Sequence, residues 1–280
     1  MLGPAPRLAY STAADGYAFA VRVWEAPQPL ARVVVIHGIV SHGGWYLSSG
    51  RHLATHGYEV HALDRRGSGL NVAARGDVDR HETWLSDVED YLARLPQTLP
   101  TVLLGISWGG KFAAAIARRP PPGLVGVGLI CPGLFARQQA SLGQRLLLRA
   151  AGAGGLSRLR IAIPLRDPVL FTDTPRWQRY VQNDPLTLWR ITIRFAVADL
   201  QLNRVARAAA EQIRTPTLLM LAGRERIVDN LRTRAFFERI PLADKTCVEY
   251  PDAGHTLEFE PDPTRYLADL RSWIDHVTTR

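Results

Sequence analysis

Apolar residues along this chain alternate between two rhythms. Arg32-Val33-Val34-Val35-Ile36, Tyr58 to Leu63, Thr101-Val102-Leu103-Leu104, Leu124 to Ile130 and Pro216 to Leu221 are short, nearly continuous apolar runs. That is the pattern of strands covered on both faces. Tyr17 to Trp24 alternates apolar with polar, as a half-buried strand does, and Thr246 to Tyr250 makes a last strand. Between these runs the period lengthens. Asp79 to Leu95 carries Trp84, Leu85, Val88, Tyr91, Leu92 and Leu95 on one helical stripe. Further helices are expected over Gly44 to His56, with Gly57 as the stop, and over Gly110 to Ala117, Leu231 to Ile240 and Thr264 to Val277. Strand and helix in alternation predict an α/β fold, a mostly parallel central sheet flanked by helices. In such sheets reactive groups gather beyond the carboxyl ends of the strands.

One stretch breaks the rhythm. Residues 134–210 are far too many for a loop without structure of its own. Asp184-Pro185 reads as an N-cap followed by proline at the first helical position, with Trp189, Ile193, Val197 and Leu200 at helical spacing beyond it. The Gly152 to Gly155 cluster reads as a flexible break. A mostly helical cap over 134–210 is therefore expected, inserted into a core domain made of 1–133 and 211–280.

Composition narrows the function classes. The formal charge of +8 raises the question of nucleic acid, but all the basic residues except Lys111 and Lys245 are arginines scattered along the chain. No basic helix, zinc-finger spacing or aromatic platform accompanies them, so no nucleic-acid partner is expected. Attraction to anionic lipid surfaces or substrates stays open. No apolar run approaches bilayer length, and Met1 to Tyr10 lacks the apolar stretch of a secretory signal, which points to a cytoplasmic protein. Cys131 and Cys247 lie in or at the end of apolar runs and read as buried free thiols, with no metal site to be built from them. His52 and His56, four apart on a helix, lack a third ligand and read as surface histidines. Neither a phosphate-binding nor a dinucleotide-binding glycine motif is present, and no cofactor is expected.

The chemistry is concentrated at Gly105-Ile106-Ser107-Trp108-Gly109, set between a strand and a helix. A Gly-x-Ser-x-Gly in that setting is a nucleophile elbow, a turn sharp enough to push the serine hydroxyl out above the sheet. Serine needs a base, and the base needs an orienting acid, in the chain order Ser, Asp or Glu, His. His255, in the Ala253-Gly254-His255-Thr256 turn after the last strand, is the candidate base. Glu225 and Asp229, in Gly223-Arg224-Glu225-Arg226-Ile227-Val228-Asp229, are the candidate acids. An oxyanion would be met by backbone amides, for which Trp108 and Ile39 are the choices. His37, Gly38 and Trp108 are the expected substrate-binding residues, with Trp108 narrowing the pocket floor. Serine at the elbow argues against dehalogenase and epoxide hydrolase chemistry, which needs an acidic nucleophile there.

With these residues in view, the chain resembles an α/β-hydrolase of the monoacylglycerol lipase and lysophospholipase-like group. His37-Gly38-Ile39-Val40-Ser41-His42 resembles that group's His-Gly-x-x-x-His segment, and Asp64-Arg65-Arg66-Gly67-Ser68-Gly69 its Asp-x-Arg-Gly-x-Gly turn. The elbow, the Gly-His turn and the position of the cap match as well. The resemblance implies a serine carboxylic ester hydrolase acting on monoacylglycerols, lysophospholipids or short-chain esters through an acyl-enzyme. Thioesterase, peptidase or carbon–carbon bond hydrolase chemistry on the same triad, or a non-catalytic binding role, are the alternatives. The chain departs from the group at the acid, where Glu225 stands in place of the usual Asp and Gly223 lies one residue closer than usual. It departs again at Ile106 and Trp108, where the group commonly has His and Met. Glu225 holds the group's acid position, with Asp229 as the alternative.

Overall fold

The computed structural model describes residues 4–139, 141–153 and 155–279. Strands β1 (Arg7–Thr12), β2 (Ala18–Trp24), β3 (Ala31–Ile36), β4 (Tyr58–Leu63), β5 (Thr101–Ile106), β6 (Leu124–Ile130), β9 (Thr217–Ala222) and β10 (Lys245–Tyr250) form one sheet. Their order is β1-β2-β4-β3-β5-β6-β9-β10, and only the β1–β2 and β2–β4 pairs are antiparallel. Helices α1 (Leu47–Thr55), α2 (His81–Arg94), α3 (Gly109–Ile116), α7 (Asn230–Glu238) and α8 (Thr264–Thr278) connect or follow these strands. The continuous apolar runs became the central strands. Every residue of β3, β5 and β9 is buried, and each valine- or leucine-sized side chain so covered favours folding by about 2 kcal/mol.

The alternating segment gave β2, one strand in from the edge. The edge strand β1 was not anticipated, because it is mostly exposed or half-buried and its sequence, Arg-Leu-Ala-Tyr-Ser-Thr, carries little apolar signal. The helix expected from Gly44 begins instead as a 3-10 turn over Gly43–Tyr46 before α1, and Gly57 takes the left-handed φ of +87° that stops it. Cys131 is buried, whereas Cys247 is exposed. The expectation of two buried thiols fails for Cys247 because β10 is the other edge of the sheet.

Between β6 and β9 the chain leaves the sheet and builds α4 (Leu142–Ala153), β7 (Arg160–Ala162), α5 (Pro175–Asn183), β8 (Arg190–Thr192) and α6 (Ile193–Arg207). β7 and β8 pair antiparallel in a small separate sheet. The expected helix after Asp184-Pro185 does not start there. Asp184 follows the end of α5, and its Oδ1 accepts from the Leu186 amide (2.9 Å) in a local turn while Oδ2 accepts from the ring of His42 and the indole of Trp45, so the capping bond forms but no helix follows it. The chain runs extended through β8, and Thr192 caps α6 instead, its hydroxyl accepting from the Phe195 amide. The Gly152 to Gly155 break falls where α4 ends, and Gly154 lies outside the described residues.

Candidate active site

Ser107 sits at the tip of β5, where α3 begins, with φ of +52°. A non-glycine residue reaches that region only when its surroundings over-determine it. Here the Ser107 amide donates to the Ile130 carbonyl (2.9 Å), and the Ser107 carbonyl accepts from the amides of Gly110 (2.9 Å) and Gly133 (2.6 Å). The flanking glycines let the elements close on the turn. A Cβ on Gly105 would lie 2.5 Å from the Gly109 carbonyl oxygen, and one on Gly109 would lie 2.1 Å from that of Ile36. The glycines of the motif are thus a packing requirement of β5 and α3 against β3.

Ser107 Oγ donates to His255 Nε2 at 2.8 Å, and His255 Nδ1–H donates to Glu225 Oε2 at 2.7 Å. The bonds define one tautomer for the ring, with the proton on Nδ1. His255 is buried in a turn tied to the segment after β7, since the Thr256 amide donates to the Phe171 carbonyl (2.9 Å). Glu225 is buried too, and its second oxygen accepts from the amides of Ile227 (2.7 Å) and Val228 (3.2 Å). Burial alone would raise its pKa, but the His255 imidazole beside it and these hydrogen bonds outweigh burial and hold it below the ordinary carboxylate value. The short loop before it works because Gly223 lies against backbone, where a Cβ would come within 2.2 Å of the Pro251 carbonyl oxygen. Asp229, the other candidate acid, caps α7 by accepting from the Arg232 amide (3.0 Å). The structure brings Glu225 to the histidine and leaves Asp229 at the helix start.

A cavity of about 180 Å³ opens at Ser107, walled by Ile39 and Trp108 from the sheet side and by Ile163, Leu165 and Leu170 from the segment between β6 and β9. Gly38 also approaches the serine closely, since a Cβ there would lie 3.2 Å from Ser41 Oγ and 3.3 Å from Ser107 Cβ. Neither the Ile39 nor the Trp108 amide donates to a protein acceptor among the described residues. His37 does not face this cavity. Its ring is fully buried, Nδ1–H donates to the Gly38 carbonyl (2.8 Å) and Nε2 accepts from the Arg65 amide (3.1 Å). Its expected contact with substrate is therefore replaced by a structural one, holding the turn that carries Gly38 and Ile39. The Trp108 ring packs against Trp84, Phe112 and Phe195, and its indole donates to Asp199, which also accepts from Lys111 (2.6 Å). No spacing in the sequence announces the Lys111–Asp199 pair.

A family model described as Hydrolase_4, serine aminopeptidase, S33, matches residues 27–262. The chain belongs to this family. It is 27% identical to human monoglyceride lipase over 95% of this chain and 89% of that protein. Phospholipase YtpA of Bacillus subtilis is 26% identical over 90% of this chain and 98% of its own length. A longer abhydrolase domain-containing protein of Dictyostelium discoideum is 26% identical over 93% of this chain, which spans 28% of that relative. In fold, the chain matches the crystal structure of a soluble variant of Saccharomyces cerevisiae monoglyceride lipase in complex with a substrate analog. The TM-score is 0.87 and the identity 21%, over 99% of this chain and 97% of that one. The protein is an α/β-hydrolase, a serine hydrolase of the esterase and lipase kind.

Within this Hydrolase_4 member, Cys131, Glu225 and His255 are the cluster with metal-ligand spacing among the described residues, their ligand atoms within 4.8 Å of one another. The arrangement does not suit a metal. The carboxylate and imidazole already bond each other, and burial, helped by the Glu225 charge, raises the Cys131 thiol well above its usual pKa. Among the described residues no helix is long and apolar enough to cross a membrane.

Proposed function

We propose that the protein hydrolyses acyl esters through an acyl-enzyme, with Ser107 as nucleophile, His255 as base and then acid, and Glu225 as the orienting carboxylate. Ser107 Oγ attacks the acyl carbon while His255 Nε2 takes its proton, and the amides of Ile39 and Trp108 receive the oxyanion. Collapse expels the alcohol, which leaves with the proton from Nε2. Water then repeats the sequence on the acyl-enzyme and frees the acid. The carrying observation is the unbroken row from Ser107 Oγ through His255 to a carboxylate held ionised, opening on a largely apolar cavity.

For the substrate we propose monoacylglycerols, lysophospholipids or short-chain esters, supported by the apolar cavity wall and by the lipase and phospholipase relatives. Residues 134–210 act as a cap on a core of 1–133 and 211–280, supplying that wall through Ile163, Leu165 and Leu170. Exposed Leu142, Leu146 and Leu147 on α4, with exposed Arg149 and Arg158 nearby, suit contact with an anionic lipid surface. An aminopeptidase reading is less well served. Such an enzyme must receive a free ammonium, and the one acid lining the cavity among the described residues, Asp199, is engaged by Lys111 and Trp108.

The test is fluorophosphonate labelling beside turnover of p-nitrophenyl esters and a monoacylglycerol. Label should sit on Ser107, and Ser107→Ala should lose label and cut kcat by roughly 10⁴ or more with its melting temperature unchanged. Wild-type turnover by Ser107→Ala overturns the assignment.

A further inference from the structure

Arg65 is buried beside the elbow, and its charge has no carboxylate partner among the described residues. Its nearest acids are committed elsewhere. Asp64 accepts from Arg22 and from the amides of Gly43 and Leu70, and Asp199 accepts from Lys111 and Trp108. Arg65 Nη2 instead donates to two successive carbonyls, those of Gly38 and Ile39, each at 2.8 Å. Nε and Nη1 are buried without a protein partner. The guanidinium lies over the Trp108 ring, 4.3 Å from its centroid. A buried charge without its opposite is among the costliest features a fold can carry. Neutral fillers would hold the turn at lower cost.

The Gly38 carbonyl and the Ile39 amide belong to one peptide unit. A cationic donor on that oxygen draws electron density along the peptide and makes the N–H at its other end a stronger donor. His37 Nδ1–H adds a second bond to the same oxygen. The fork onto Gly38 and Ile39 also restrains rotation of the peptide plane, so the amide keeps its aim. We propose that Arg65 is a positioning residue that orients and polarises the Ile39 amide, and that its unanswered charge is matched by the oxyanion formed when Ser107 attacks. The inference rests on the ester-hydrolase reading above. Because the negative charge exists only once the Oγ–carbon bond forms, the interaction lowers the barrier without tightening substrate binding. Burial draws the Arg65 pKa down to about 9, which still leaves it charged at neutral pH.

The test uses the full chain with Arg65→Met, Arg65→Lys and Arg65→Gln. It measures kcat and KM on a p-nitrophenyl ester, and affinity for an alkyl trifluoromethyl ketone and for the matching amide. The ketone accepts Ser107 Oγ and becomes a hemiketal oxyanion, whereas the amide binds without developing charge. Arg65→Met should lower kcat about 100-fold with KM little changed, weaken the trifluoromethyl ketone by a similar factor, and leave the amide unaffected. Arg65→Lys should recover more activity than Arg65→Gln, since it keeps the charge but loses the planar fork. Near-wild-type kcat in Arg65→Met, or equal weakening of ketone and amide, overturns the proposal. If Arg65→Met does not fold, the Lys and Gln variants decide, and Gln matching or exceeding Lys overturns it. An unmutated protein that neither turns over the ester nor takes the fluorophosphonate on Ser107 overturns the ester-hydrolase reading, and this inference with it.

Discussion

The two walls of the cavity at Ser107 are built to different standards. The lower wall, at the carboxyl ends of β3, β5, β9 and β10, consists of turns in which the reacting side chains are each held by several hydrogen bonds. Ser107 is held by Ile130, Gly110 and Gly133, and Glu225 by His255, Ile227 and Val228. The upper wall comes from the segment between β6 and β9. Its first helix, α4, has no buried residue and presents Leu142, Leu146 and Leu147 to solvent. Proton transfer and oxyanion binding fail when groups shift by an ångström, so they belong on rigid elements. Admission of an apolar substrate asks for exposed apolar surface, which a rigid monomeric core would normally cover.

The sharpest way to break this contrast is at the acid. Glu225→Gln should lower kcat by roughly 10³ or more, because a neutral partner cannot stabilise the imidazolium. Asp229→Asn should leave kcat nearly intact and cost about 1 kcal/mol or less, as expected of a helix cap. Steady-state kinetics and thermal melts on both variants check the pair, and the reverse ranking would move the role to Asp229. Glu225→Asp sharpens the comparison further. The loop is pressed against the Pro251 backbone at Gly223 and cannot advance to follow a shorter side chain, so a loss of about 10- to 100-fold in kcat is expected.

A medium effect is expected on α4, in the segment that also carries the upper wall. Replacing Leu142, Leu146 and Leu147 together by serine should reduce turnover of a monoacylglycerol in anionic vesicles several-fold, by about 3- to 10-fold, with little effect on a soluble ester. The melting temperature should hardly move, since α4 buries none of its residues. Raising salt should reproduce part of the loss on vesicles alone. Equal losses on both substrates would show that the face has no part in reaching a lipid surface.

The smallest effect lies where the two walls meet. Asp184 joins them by accepting from His42 and Trp45 of the core. Burial works against its ionisation, but the bonds from His42, Trp45 and the Leu186 amide prevail and lower its pKa from 3.8 to about 2. A depressed carboxylate pKa contributes stability that is complete above its unfolded value and lost as pH falls through the folded one. Asp184→Asn should therefore melt about 2–4 °C lower at neutral pH. The gap from wild type should stay constant down to about pH 4 and close towards about pH 2. A gap that persists at pH 2 would mean the carboxylate charge is not what holds the walls together.

Local pattern was enough for the sheet because its central strands are buried on both faces, and such burial leaves a run of apolar residues that no other element needs. β1 escaped for the opposite reason, as an edge strand that hides little. Inside 134–210 the pattern misled. Asp184-Pro185 has the local form of a helix start, and Asp184 does accept from the Leu186 amide, yet its other oxygen is tied to His42 and Trp45, far away in sequence, and the chain beyond turns into β8 instead of a helix.

The elbow and the Gly-His turn could be read from the chain because each is a local solution to a local problem, a strained turn or an exposed loop with glycine where backbone crowds. The choice between Glu225 and Asp229 could not be made that way, since both lie within seven residues after the same strand. Contact between Gly223 and Pro251 brings two loops close enough for the longer carboxylate to reach His255. Arg65 and Asp199 belong to the same class. The sequence names them as ordinary charges, and only the folding of distant segments around them removes water from one and pairs the other with Lys111. Spacing along a chain records what neighbours do to each other, whereas desolvation and charge pairing depend on what arrives from elsewhere.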